Sequence, residues 1–267
     1  MSKIRLNIIN EPDDYECAQV RVDATVEGDE FDFLLDTGAA LSRIRKSEFT
    51  IQYPKVKSHA SSGVLSKSKE DLIRIPSLKL GPILKENVEF TRVDASHEQV
   101  NLIGMNVLKS YAFHFDFQNN TLEVNPDGRK YASKVNDLFM DEAGHPYIPA
   151  FLGEKECSTV WDTGSSITLV DTKIIAEYPK YFRKIGESEG TDANGNKIMT
   201  STYLLVNLTI DGKLFPPHHV AALDLSDVNA NLEKPMEMII GYSTFQHADW
   251  WFDFPMRKWK ITRFQNR

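Results

Sequence analysis

Cysteine is scarce in this chain: two residues, Cys17 and Cys157, out of 267. A small secreted scaffold held by disulfides would carry several pairs, so covalent stapling is excluded as an organising principle and free thiols are expected. Long apolar runs are missing too. No window approaches 18 uninterrupted apolar residues, and the opening "MSKIRLNIINEPDD" has no apolar stretch of signal-peptide length. A cytoplasmic protein with no membrane partner is the expectation. Dense positive charge is also absent. The net charge is −7, and the basic stretches "RIRKSEF" and "KSKE" are short and mixed with acids, which excludes a nucleic-acid footprint. No Gly-rich phosphate loop, Gly-x-Ser-x-Gly elbow or paired-cysteine zinc pattern occurs. The seven histidines show no repeating ligand spacing, and adjacent His218 and His219 are badly disposed to share one ion. "DANGNK" (192–197) begins like a calcium loop but lacks the sixth-position glycine and the twelfth-position glutamate. No metal and no cofactor are expected.

What the chain does have is an internal repeat. "FDFLLDTGAALS" (31–42) runs from an apolar approach into Asp36-Thr37-Gly38 and then small residues. "STVWDTGSSITLV" (158–170) does the same around Asp162-Thr163-Gly164. One chance Asp-Thr-Gly is expected in roughly one chain in twenty of this length, and two at the ends of apolar runs are far rarer. The repeat extends downstream. "NLIGMNVL" and "MIIGYSTF" each put two aliphatics before a glycine, Gly104 and Gly241. Eleven residues after each glycine comes "FDF", at 115–117 and 252–254, and six beyond each of its aspartates stands a large apolar residue, Leu122 or Trp259. The distance from Gly38 to Gly104 is 66 and from Gly164 to Gly241 is 77. The second half therefore carries about eleven extra residues, expected around 171–200.

Local patterns read mostly as strands. "AQVRVDATVEGDEFDFLLD" alternates and turns at "EGDE", and "YLLVNLTIDGKLF" alternates and turns at "DG". Short helices are predicted near 44–50, 105–111, 171–178 and 242–247. "NPDGRKYASKVND" (125–137) lacks a sustained apolar period and reads as a linker. A mainly β chain of two similar lobes follows, residues 1–130 carrying Asp36 and residues 131–267 carrying Asp162. The aromatic run "DWWFDF" (249–254) reads as core and interlobe packing, and Asp116 and Asp253 as structural.

Two carboxylates that share one proton can supply both base and acid for adding water to a peptide bond, because like charges a few ångströms apart do not both ionise readily. Such a pair needs each aspartate on a rigid loop facing its twin. Thr37 and Thr163 can hydrogen-bond backbone across the axis. Gly38 and Gly164 lack a Cβ and let backbone approach the carboxylates. Gly104 and Gly241 mark apolar strands passing beneath each loop, where two backbones nearly touch.

With "LLDTGA" and "LIG" in one half and "VWDTGSS" and "IIG" in the other, the chain resembles the aspartic peptidases of the pepsin and retropepsin type over nearly its whole length. The resemblance implies a bilobal β acid-protease fold with pseudo-two-fold symmetry, like two retropepsin subunits fused in tandem. It implies catalysis by Asp36 and Asp162 with a water between them, and flap hairpins closing over a polypeptide substrate in extended conformation. Flap tips are expected at "SSGVLSKS" (61–68) and "DANGNK" (192–197), which makes Gly63, Gly195 and Ala39 candidate substrate contacts. A monomer is expected, because the pseudo-dimer is closed within one chain. Asp36 lies so near the first residue that zymogen control of the pepsin kind is not expected. The halves differ after Asp-Thr-Gly: Ser165 can donate to its neighbouring carboxylate and Ala39 cannot, which would put the shared proton on Asp36 and the charge on Asp162. The rival reading is a catalytically silent peptide-binding or scaffolding module on the same fold.

Overall fold

The computed structural model describes residues 3–12, 14–62, 67–94, 100–131, 134–191, 197–230 and 232–265. It is mainly β, 58% strand against 11% helix, as the alternating patterns and turn residues require. Three sheets carry the architecture. One has eight strands, all drawn from residues between Asn7 and Ile103; another has ten, drawn from between Pro146 and Ile240 with Phe139–Met140 at its side. The third has six strands and takes members from both ends of the chain: Lys3–Arg5, Thr121–Val124, Ala112–Asp116, Ala248–Asp253, Lys258–Phe264 and Asn136–Asp137.

That third sheet is where the "FDF" repeats go. Ala112–Asp116 and Ala248–Asp253 pair antiparallel, with Phe113 opposite Phe252 and Phe115 opposite Trp250. Within each hairpin the matched apolar residue is the cross-strand partner of the matched phenylalanine, Phe115 with Leu122 and Phe252 with Trp259. Phe113, Phe115, Trp250, Phe252 and Trp259 are all buried, so the aromatic run is core that joins the two halves. Asp116 and Asp253 each accept the backbone N–H three residues on, Asn119 at 3.0 Å and Met256 at 2.9 Å. They are turn caps. Most of the stretch read as a linker is described; it contains a 3₁₀ turn, Gly128–Lys130, and the strand Asn136–Asp137 on Lys258–Phe264.

In each half the Asp-Thr-Gly strand, Asp29–Leu35 or Lys155–Trp161, runs parallel to a short apolar strand, Leu102–Ile103 or Met238–Ile240. The glycine after that short strand is forced by close packing. A Cβ on Gly104 would fall 2.7 Å from the Ala39 carbonyl oxygen, and one on Gly241 would fall 2.4 Å from that of Ile167. Both glycines donate backward to a hydroxyl at the matched position, Ser42 or Thr168, at 3.0 Å.

Two expectations need correction. The helix expected at 44–50 begins later, at Glu48–Ile51, because Ser42–Arg45 pairs as a strand with Ile83–Val93 and Ser47 caps the helix. The other three helices fall at Met105–Leu108, Thr172–Glu177 and Tyr242–Phe245, near their expected places, and Ser226–Asn229 is an additional one. The eleven extra residues are also not all at 171–200. Ser42 pairs with Phe90, 48 residues on, and Thr168 with Val220, 52 on. Phe90 precedes Gly104 by 14 residues and Val220 precedes Gly241 by 21. Four of the extra residues thus lie before Val220, and seven lie after it, in the stretch containing Ser226–Asn229.

His218 is buried in the second half. Its Nδ1 lies 2.8 Å from the Pro216 carbonyl oxygen and its Nε2 lies 2.7 Å from the Thr244 hydroxyl. The Thr244 hydroxyl contacts that of Thr168 at 2.6 Å, and Thr168 accepts the Gly241 N–H. The chain of donors runs from Gly241 through Thr168 and Thr244 to a neutral imidazole, and burial pushes the His218 pKa down to about 4. In the unfolded chain the ring titrates near 6.5, so the unfolded state takes up this proton first as pH falls. Stability from His218 is complete above about 6.5 and is lost as pH drops toward 4, by roughly 3 kcal/mol in all. Urea unfolding at pH 7.5 and 4.5 should show His218→Gln losing about 2–3 kcal/mol less than wild type over that interval; equal losses would refute the assignment.

Candidate active site

The two Asp-Thr-Gly loops meet face to face. Strands Asp29–Leu35 and Lys155–Trp161 end one residue before each aspartate, and Asp36 and Asp162 are held to the neighbouring short strand by N–H bonds to Ile103 (3.0 Å) and Ile240 (2.9 Å). The aspartates therefore extend from strands anchored by buried Leu35 and Trp161. Trp161 lies among Phe115, Phe245, Trp250 and Phe252, so the second loop rests directly on the aromatic core.

The threonines cross between loops. Thr37 N–H donates to the Thr163 hydroxyl and Thr163 N–H to the Thr37 hydroxyl, both at 3.1 Å. The Thr37 hydroxyl in turn donates to the Trp161 carbonyl at 2.8 Å. Both threonines are fully buried, where each bond is protected from water and each donor would be costly to leave unmet. Position and hydroxyl are both required: serine would lose the packed methyl and valine the hydrogen bonds.

Each glycine faces the opposite carboxylate. A Cβ on Gly38 would lie 2.6 to 2.7 Å from the three carboxylate atoms of Asp162, and one on Gly164 2.5 to 2.7 Å from those of Asp36. Any side chain at either position would displace the opposing acid. Gly38 N–H contacts Asp36 Oδ1 at 2.9 Å and Asp162 Oδ1 at 3.0 Å, while Gly164 N–H donates to Asp162 Oδ1 at 2.8 Å. Asp36 is buried and Asp162 half-buried. Burial, then the neighbouring Asp162 carboxylate, pushes Asp36 well above the ordinary carboxylate range; Arg43 opposes the shift. Burial raises Asp162 as well, against the two glycine N–H groups and nearby His145.

Ser165 departs from expectation. Its hydroxyl donates to the Ile167 carbonyl at 2.6 Å and is spent inside its own loop. What separates the two carboxylates is the backbone: Asp162 Oδ1 accepts from both glycines, Asp36 Oδ1 from Gly38 alone among the described bonds. Ala39 and Ser165 play equivalent backbone parts, their carbonyls accepting Met105 N–H (2.8 Å) and Tyr242 N–H (2.9 Å). Gly63 and Gly195 lie outside the described residues. Their hairpins are described: Lys55–Ser62 pairs with Lys67–Leu80, and Phe182–Thr191 with Lys197–Leu205.

Three features gave no signal in the sequence. His145, whose ring contacts Asp141 at 2.7 Å, comes close enough to act on Asp162. Arg43 and Glu70 form a buried ion pair at 3.3 Å. Asp14, Glu16 and His219 bring potential metal-ligating atoms within 4.8 Å of one another, but they already satisfy each other: His219 N–H donates to Glu16 and its ring contacts Asp14 at 2.8 Å. The cluster joins the first strands of the chain to the second half, across about 200 residues, and only tertiary structure could reveal it. Both cysteines are free and buried, and burial pushes the Cys157 thiol up to about 12, which leaves no reactive thiolate.

The family model described as gag-polyprotein putative aspartyl protease matches residues 22–110, a span holding the first Asp-Thr-Gly, the first hairpin and Gly104. No curated protein matches the chain. Residues 22–110 are thus similar to a retropepsin-like aspartyl protease domain.

The threonine cross-bonds make a measurable claim about stability. Thr37→Val keeps the shape and strands the Thr163 N–H and the Trp161 carbonyl, at a cost of about 2–4 kcal/mol. Denaturant titration should show that loss; a change below about 0.5 kcal/mol would mean the loops are held by something else.

Proposed function

We propose that the chain is an aspartic endopeptidase in which residues 1–130 and 131–267 form two lobes, each supplying one aspartate to a shared site. The observation that carries this reading is the reciprocal seating of each carboxylate on the other loop's glycine, at distances that only glycine permits. A structural turn has no need of a second acid against it, and two buried acids facing one another destabilise the fold unless they share a proton. The match of residues 22–110 to an aspartyl protease family supports the same chemistry.

In this reading Asp36 holds the proton and Asp162 the charge. The raised pKa of Asp36, a weaker acid than an ordinary carboxyl, supports that assignment, and the two N–H donors on Asp162 Oδ1 stabilise its ionised form. A water held between the carboxyl groups loses a proton to Asp162 as it attacks the scissile carbonyl, while Asp36 donates its proton to the developing oxyanion. As the intermediate collapses and its C–N bond breaks, Asp162 passes the proton it took from water to the departing amine, and a hydroxyl of the intermediate returns a proton to Asp36 as the carbonyl re-forms. The substrate is an extended polypeptide lying under the two hairpins and hydrogen-bonding as a strand does. A monomer suffices, because both acids are in one chain.

The test joins activity to stability. Asp36→Asn and Asp162→Asn should each abolish cleavage of a broad peptide library between pH 3.5 and 7.5. Asp36→Asn should also raise stability at neutral pH, because a group whose folded pKa is raised costs the fold free energy once pH exceeds its unfolded value near 3.9. A structural aspartate would behave oppositely, losing stability when replaced. Ser165→Ala should leave the pH–rate profile unmoved, since its hydroxyl serves Ile167. Cleavage surviving in Asp36→Asn would end the proposal, and peptide binding without cleavage by wild type would leave the silent binding module in its place.

A further inference from the structure

The two sheet faces that carry the aspartates have the same backbone and different chemistry. Residues paired across strands share a face, and so do residues two apart along one. In the first half that rule links Asp36 and Leu34 to Leu102, then to Arg43 and Thr91, by the pairs Leu34–Leu102, Arg43–Leu102 and Arg43–Thr91. Thr91 pairs with Leu72, and Glu70 lies two residues before it on the hairpin arm Lys67–Leu80. In the second half the same steps run from Asp162 and Val160 to Ile239, Leu169 and Ala221, with Thr202 beyond.

Position by position, Arg43 in the first half corresponds to Leu169 in the second. Arg43 is 6% exposed and Glu70 7%, and their side chains pair at 3.3 Å. The first face therefore holds an ion pair within electrostatic reach of Asp36. The second face carries no charge at the matching positions and, apart from Thr200 and Thr202, is apolar. Val160 and Ile239 belong to a separate cluster with Tyr147, Leu225 and Met236, with partly exposed Leu169, Ile198, Val228 and Leu232 against it. Leu225, Val228, Leu232 and Met236 come from the stretch that holds the seven extra residues of this half. Ile198 lies on its hairpin arm, as Glu70 lies on the other.

We propose that this difference fixes side-chain preference on the two sides of the scissile bond: a polar, hydrogen-bonding side chain against Arg43 and Glu70, and a large apolar one against Leu169, Ile198 and Val228. The proposal rests on the endopeptidase reading for its substrate, an extended peptide spanning both faces. An apolar group pressed on the ion pair would strip its remaining water and offer nothing in return, whereas a hydroxyl or amide can donate or accept there. A polar group against Leu169 and Ile198 would be desolvated without a partner. The two costs act together, so one orientation of the peptide is selected.

The experiment reads cleavage-site profiles from an equimolar library randomised on both sides of the cut, using the full chain. Beside it runs fluorescence-anisotropy binding to Asp36→Asn of two labelled peptides that differ only in the order of a polar and an apolar residue. Wild type should favour apolar residues by at least tenfold on one side of the cut and disfavour them on the other. Arg43→Leu combined with Glu70→Leu removes both charges together and should raise apolar acceptance on the polar side about tenfold. Leu169→Asn should lower apolar preference on the opposite side, and a thermal melt of each variant checks folding. Equal preferences on both sides in wild type overturn the inference while leaving the endopeptidase reading intact, as does an unchanged profile in the folded double variant. Binding that discriminates the two peptide orders without any wild-type cleavage overturns the endopeptidase reading and upholds the inference. Neither cleavage nor discriminating binding removes both.

Discussion

Everything at the centre of this molecule follows from two glycine backbones pressed against two carboxylates. Gly38 and Gly164 bring the loops so close that each acid has the other loop's backbone where a side chain would be. At that distance both acids cannot carry full charge without cost, and the fold must hold them there against their repulsion. The buried threonine cross-bonds supply part of the holding. The rest comes from beneath, where Leu35 and Trp161 root the loops in the core and Gly104 and Gly241 let the short strands close up under them. A device of this kind stores electrostatic strain and is stable because the structure around it is over-determined.

How much of this was legible in the sequence depends on whether a feature repeats. Asp-Thr-Gly, the aliphatic pair before glycine and "FDF" could be found because each occurs twice, and the fixed spacing from that glycine through "FDF" to Leu122 or Trp259 reflects paired strands. Phe115 opposite Leu122 and Phe252 opposite Trp259 are the physical reason that six-residue interval recurs. The extra residues of the second half were countable but not locatable, since a length difference between two anchors says nothing about which loop holds it. The division into four and seven emerged only from strand register.

Features unique to one half were invisible. Nothing in "LSRIRK" marks Arg43 as buried, because its partner Glu70 is 27 residues away on a strand arm that reads as charged surface. His219 meets Asp14 and Glu16 from the far side of the chain, and sequence spacing carries no information about such an encounter. Ser165 shows the opposite error. It follows Asp-Thr-Gly directly in the sequence, but a hydroxyl donates to whichever acceptor its rotamer reaches first, and the Ile167 carbonyl lies 2.6 Å away. The hydrogen bonding of the two aspartates does differ, but through backbone: Asp162 Oδ1 accepts from both glycines and Asp36 Oδ1 from Gly38 among the described bonds.

That substitution of cause bears on how two similar halves come to differ. The backbone frame is common: matched strands, matched glycines, and matched hydroxyls at Ser42 and Thr168 accepting from them. The side chains behind those hydroxyls diverge, to Asn106 in the first half and to Thr244 and His218 in the second. Arg43 and Leu169 diverge in the same way on the face that carries the acids. Matched backbones fix where the two carboxylates meet. Unmatched side chains are free to vary wherever they do not alter that meeting. In the proposed reading, an extended peptide crossing both faces would meet unlike side chains on the two sides. The meeting of the acids rests on features the two halves share, the glycine backbones and the threonine cross-bonds, while the unlike walls around them come from side chains that differ between the halves.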